Sequence, residues 1–153
     1  MDNEKSEKTF FPLLGDLLAL ERLSPKGIRK ALKVDLVLRH STKYFDIYAG
    51  GGSSDSDIGA VIKELELRFP RPQSRHNDGM LIIRLGSALD ITPSQLMRRF
   101  GEPEISLVES PPGEPIVPKM YYTYRHPGGK LSFGISRESN KVIDLVIDRI
   151  KDA

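Results

Sequence analysis

Leucines at 13, 14, 17, 18 and 20 follow the i, i+1, i+4, i+5 spacing of one helical face and predict a helix over 10–23. Residues 1–9 before it are polar and charged and read as a disordered tail. Ser24-Pro25 supplies an N-cap followed by proline at the first helical position. Ile28, Ala31 and Leu32 give the second helix its stripe. Lys43–Tyr48 is aromatic and β-branched and predicts a strand, and the glycine-rich run 49–55 predicts a flexible loop. Residues 58–69 read as a strand, although Ile58, Val61, Ile62 and Leu65 also fit a helix. Pro70–Gly79 holds two prolines in a polar run and reads as a linker.

Past the linker a similar order is expected again. The apolar segment 80–89 predicts a helix. Thr92-Pro93-Ser94-Gln95 predicts a capping box, Leu96, Met97 and Phe100 a short stripe, and Gly101 the stop. The proline-rich stretch 102–118 has room for one strand and a long loop. Three strands close the chain, 120–125, 130–136 and 141–150, with turns at Pro127-Gly128-Gly129 and Glu138-Ser139-Asn140.

The halves correspond in content as well as order. Ser24-Pro25, Ile28 and Leu32 match Thr92-Pro93, Leu96 and Phe100; Lys43 and Tyr48 match Lys119 and Tyr124; Val61, Ile62 and Arg68 match Val142, Ile143 and Arg149. A duplicated unit accounts for this. The expected fold is α+β: two tandem modules, each two helices on one face of an antiparallel sheet, the first degenerate. The first occupies 10–69 and the second 80–153.

Lys+Arg 23 against Asp+Glu 21 leaves a net charge of +2, which makes no electrostatic case for nucleic acid or an anionic membrane. The charge is uneven, however. Residues 22–43 hold seven Lys or Arg against Asp35, and residues 102–114 hold four glutamates and no basic residue. The absence of cysteine excludes a disulfide scaffold, a thiol nucleophile, a Cys-ligated zinc and a lipidated cysteine. No apolar run is long enough for a membrane helix. The start, Met1–Lys8, lacks the order of a signal peptide, so a cytoplasmic location is expected.

The run Asp90-Ile91-Thr92-Pro93-Ser94-Gln95-Leu96-Met97-Arg98-Arg99-Phe100-Gly101-Glu102-Pro103 resembles the second helix and its exit in the helix-helix-sheet module of the β-lactamase inhibitor protein and the SmpA/BamE-type assembly lipoproteins. Tyr122-Thr123-Tyr124, Leu131-Ser132-Phe133 and Val142–Leu145 are similar to that module's closing strands. The resemblance covers 80–150 well and 11–69 weakly. It departs at Asp90, where the family usually has glycine, and in the first half, which lacks the Gly-x-Pro exit and one strand. It implies a protein-binding or inhibitory role and, for inhibitors, tandem modules.

Candidate chemistry is sparse. His40, His76 and His126 lack partners at metal-ligand spacing, no Gly-x-Ser-x-Gly elbow is present, and Gly50–Ser53 is no phosphate loop because no lysine follows. No catalysis, cofactor or metal is expected. The strands point to binding instead. With Phe45 and Ile47 toward the helices, period 2 puts Tyr44, Asp46 and Tyr48 on an open face, joined by Tyr122, Tyr124 and Asp144. Leu131, Phe133 and Ile135 point inward; Ser132, Gly134 and Ser136 point outward. Tyrosines on an open sheet suit a protein interface.

The expected function is therefore a non-catalytic, cytoplasmic immunity protein that neutralises a toxin or enzyme, with neither nucleic acid nor membrane as partner. Three alternatives make separate demands. An envelope assembly scaffold would need an anchor. A helix-turn-helix DNA-binding protein would need Arg98 and Arg99 exposed on a helix that enters a groove. A cryptic hydrolase would need His126 or His40 buried beside a serine or carboxylate.

Overall fold

A computed structural model describes residues 2–51, 61–108 and 119–150. Residues 52–55 of the expected glycine loop, Ile58, and the prolines from Pro111 to Pro118 lie outside the described residues. The elements in chain order are α1 (Asn3–Leu18), α2 (Pro25–Leu32), β1 (Asp35–Ser41), β2 (Phe45–Gly51), β3 (Ile62–Pro70), β4 (Met80–Leu85), α3 (Pro93–Phe100), β5 (Glu104–Val108), β6 (Lys119–His126), β7 (Gly129–Ser136) and β8 (Val142–Asp148). The fold is α+β. Its eight strands form one antiparallel sheet in the order β1-β2-β3-β4-β8-β7-β6-β5.

The short helices form where capping chemistry starts them. Ser24 Oγ accepts from the Gly27 amide at 3.1 Å, with Pro25 at the first helical position. The Thr92 amide donates to Gln95 Oε1 at 2.8 Å, and α3 stops at Gly101, whose φ of 87° suits a residue without Cβ.

Helix α1 begins at Asn3, so residues 3–9 are helical rather than a loose tail. Their inward face is polar. Ser6 is fully buried and accepts from the Asp90 amide at 2.9 Å. Gln95, also buried, donates to Asn3 Oδ1 at 2.9 Å and to Glu7 Oε1 at 2.6 Å. Hydrogen bonds to α3 and the chain before it thus replace the apolar stripe that would have marked these turns.

The other end of α1 is held by Arg149. Its guanidinium is buried and donates to the carbonyls of Leu20 at 2.6 Å and Leu18 at 2.9 Å. A cation there answers the negative end of the helix dipole, which α1 meets with no basic residue of its own.

Segment 80–89 is not a helix. Met80–Leu85 is β4, a central strand between β3 and β8, with Leu81, Ile83 and Leu85 buried and Met80, Ile82 and Arg84 on the less covered side. The first half also gains β1, which completes four strands before residue 93. Residues 62–69 of the ambiguous segment are strand, and β3 runs on through Pro70, the first residue of the expected linker. In the sheet order β3 lies next to β4 and β8 beyond it, and β2 and β6 each lie next to an edge strand.

All three described helices bury their apolar residues in one cluster with alternate residues of the sheet. Phe10, Leu14, Leu17, Ile28, Leu32 and Leu96 meet Leu36, Leu65, Leu67, Leu81, Ile83, Leu145, Ile147, Leu131 and Phe133. Among the described residues the opposite face carries no helix.

Candidate interaction surface

Register assigns each predicted site residue to a face. Across the sheet, one row reads Tyr48, Leu67, Leu81, Ile147, Leu131, Tyr124. Four of its members are core leucines and isoleucine, so Tyr48 and Tyr124 lie on the helix-covered face. The expected phase of β2 and β6 is inverted. Phe45 and Ile47 lie on the helix-free face, Phe45 stacking on His76 with 5.8 Å between ring centroids.

Tyr122 and Tyr124 are buried members of the core. Tyr124 packs against Phe100 and Phe133 and donates its hydroxyl to Gly101 O at 3.0 Å, fixing the exit of α3. Burial, with the neighbouring Tyr122 and Glu102, raises its pKa above the ordinary 10.0. Tyr48 is half-buried beneath Arg29. Asp46 accepts from Ser41 Oγ at 2.6 Å and faces Arg71 at 3.8 Å. Tyr44 is exposed in the turn before β2, beside Lys43.

The predicted tyrosines do not converge. β2 and β6 are separated by four strands, which is about 24 Å at the usual strand spacing. Of the six predicted residues, Asp144 lies on the helix-free face, and it is buried. Leu131, Phe133 and Ile135 point inward as expected, and Ser132 lies outward, its hydroxyl 3.0 Å from Thr123.

The helix-free face has its own organisation. Its middle row is Ala49, Glu66, Ile82, Val146, Ser132, Thr123. Ala49, Ile82 and Val146 are only half-buried. Charged pairs rim them: Arg84–Glu64 at 2.7 Å and Arg68–Glu66 at 2.9 Å. A shallow depression of about 340 Å³ lies among Ala49, Glu64, Glu66, Arg68, Ile82 and Arg84.

Toward β6, Lys119 donates to Asp144 Oδ2 and lies 5.0 Å from the centre of the Tyr121 ring. Burial alone would lower the lysine pKa. Its hydrogen bonds and attraction to Asp144 and Tyr121 outweigh that, and the pKa is raised above 10.5. Asp144 lies over Gly134, where a Cβ would come within 2.0 Å of its Oδ1. That oxygen is buried and has no hydrogen-bond partner. Gly134 is therefore the residue that admits the carboxylate between β7 and β8.

This face was overlooked because the pattern of β2, with Phe45 and Ile47 alternating against Tyr44, Asp46 and Tyr48, favours the wrong phase. The signal was in β6: Met120, Tyr122 and Tyr124 share one parity, and Lys119, Tyr121, Thr123 and Arg125 the other. Among the described residues no group of His, Asp and Glu could hold a metal. No described helix is long and apolar enough to cross a membrane. In comparison with known proteins, no family model, curated protein or solved structure matches the chain.

Proposed function

We propose that this protein is a non-catalytic binding protein that docks a protein partner on its helix-free sheet face, as an immunity or inhibitory protein does. The observation that carries this reading is the half-buried apolar pair Ile82 and Val146 at the centre of the row, with Glu66, paired to Arg68, between them and Ala49, and the Arg84–Glu64 pair beside them. An apolar centre with a charged rim is how protein interfaces are built. A tandem arrangement belongs to the same proposal, with the boundary after β4 instead of at residues 70–79 and one described helix, α3, in the second unit. The mirrored strand order, with β4 and β8 adjacent at the centre, supports two four-stranded units joined side by side. An inhibitory role also agrees with the module resemblance.

Arg98 and Arg99 are both exposed, as a helix-turn-helix would need, but the element before α3 is strand β4, and Arg99 lies over the Phe11 ring, 5.1 Å from its centre. Against a hydrolase, His40 is exposed on β1, His76 is stacked on Phe45, and His126 Nδ1 accepts from the Gly128 amide.

The test is affinity capture from the native host with the wild-type chain and an Ile82→Arg/Val146→Arg variant, both checked for native circular dichroism. The expected result is one protein retained by the wild type and lost by the variant. Equal retention by both, or no protein retained by either, overturns the reading.

A further inference from the structure

Strand β1 ends the sheet, and among the described residues no strand pairs with its outer edge. Val37 and Leu38 on it are each 51% exposed. Apolar residues on an open edge are a liability that proteins ordinarily avoid, because the unpaired backbone is a template for another strand.

β1 and the segments joined to it are mostly basic, with Asp35 the one acidic residue of the strand. Lys26 and Lys30 lie on α2, Lys33 caps it, and Arg39 and Lys43 lie on β1 and in the turn after it. All five are exposed. None forms an ion pair with a described residue, whereas Arg68, Arg71, Arg84 and Arg125 each have a carboxylate neighbour. Arg29 is engaged otherwise: it donates to Leu36 O at 2.8 Å, which closes the inner end of the edge and leaves Val37–Ser41 as the open stretch, irregular at Arg39, where the pairing with β2 shifts register.

We propose that this edge takes an extended acidic segment of a partner protein as a ninth strand. Backbone hydrogen bonds to β1 would hold the segment, its apolar residues would meet Val37 and Leu38, and its carboxylates would face the unpaired lysines and Arg39. Cations at an edge repel the equivalent edge of a second copy, so the same charges that discourage self-pairing select a strand of opposite sign. A nucleic acid would satisfy the cations but would use neither the open backbone nor the exposed valine and leucine. Val37 pairs with Ala49 and so borders the helix-free face, but the open backbone edge and its cations lie apart from the Ile82 and Val146 centre, and binding here can fail without binding there.

The test uses the full chain and a short fluorescent peptide that alternates glutamate with valine and threonine. Its lysine-for-glutamate counterpart and an oligothymidylate are the controls. The glutamate peptide is expected to bind saturably at low salt and about tenfold more weakly at high salt, as screening requires. Amide exchange should slow at Val37–Ser41. Leu38→Pro, which removes a donor from the edge, should abolish binding. Lys33→Glu/Arg39→Glu, confined to exposed side chains, should weaken it at least tenfold whether or not the proline variant folds. Overturning results are absence of saturable binding, binding without slowed exchange in β1, equal binding of the lysine peptide, or tighter binding of the oligonucleotide.

Discussion

The two faces of the sheet are built from adjacent residues of the same strands, yet they do opposite things. On the covered face, Leu67, Leu81, Ile147 and Leu131 run side by side beneath the helices, all nearly inaccessible. One residue along each strand, Glu66, Ile82, Val146 and Ser132 form a row that is only half-buried. On the covered face the Tyr124 hydroxyl and the Arg149 guanidinium donate to backbone carbonyls at helix ends, and Asp46 pairs with Ser41 and Arg71 at its margin. The free face pairs charge with charge. Stability should therefore reside on one face and recognition on the other, and substitutions on each should separate the two.

The largest effect is expected at Phe133, which is fully buried and packs against Phe10, Phe100 and Tyr124. Phe133→Ala should cost about 3–5 kcal/mol in urea unfolding. A loss below about 1 kcal/mol would mean that the helices do not rest on β7 as described. Arg149→Ala comes next, at about 3 kcal/mol, because it removes the guanidinium donors from the carbonyl of Leu18, the last residue of α1, and from that of Leu20 just beyond it, and leaves Asp78, 3.9 Å away, without its cation. Arg149→Lys should recover less than half of the loss, since one ammonium cannot span the same carbonyls. Full recovery by lysine would show that charge alone mattered.

What could be read in the sequence and what could not divides along the same physical line. Helix caps were legible because they depend on neighbours in sequence: Ser24 with Gly27, and Thr92 with Gln95. The closing strands β6 to β8 were legible because short turns pair them locally. Strand β4 was not, because Met80–Leu85 is apolar at every position but Arg84, and only its two flanking strands decide between strand and helix. The first turns of α1 were hidden because Asn3, Ser6 and Glu7 bind polar partners nearly ninety residues away. The predicted site failed for a related reason. Tyrosine suits a core edge and an interface equally well, and the phase of β2 and β6 is set by which residues the helices cover. Asp144 was placed on the correct face, but its partner Lys119 entered only as a repeat marker.

A smaller effect should appear at high pH, and mostly on the covered face. Tyr124 is held in its neutral, protonated form by burial, with its folded pKa above 10.0. The folded state binds the proton more tightly than the unfolded chain. The stabilisation is thus fully present below the ordinary value and disappears as pH climbs through the raised one. Lys119 has the same sign: its folded pKa lies above 10.5, and its contribution is lost over the corresponding alkaline range. The melting temperature should therefore fall as pH rises above about 10. Tyr124→Phe should cost about 1 kcal/mol at neutral pH through the lost hydrogen bond to Gly101, and its alkaline decline should be shallower than the wild type's. Parallel declines for the two proteins would assign the effect to other groups.

The smallest stability effect belongs to the free face and sharpens the contrast most. Arg84 and Glu64 are 2.7 Å apart, but their side chains are 68% and 54% exposed. Water and salt screen such a pair, and ordering two long side chains offsets the attraction. A double-mutant cycle with Arg84→Gln and Glu64→Gln should yield a coupling below about 1 kcal/mol, falling further as salt is added. A coupling above about 2 kcal/mol would show that the pair is desolvated and part of the folding core, which would erase the distinction between the faces. A small coupling leaves these charges free to be spent on a partner. The same substitutions should then slow association with a captured protein far more than they disturb the fold, because exposed rim charges act chiefly on the rate of encounter.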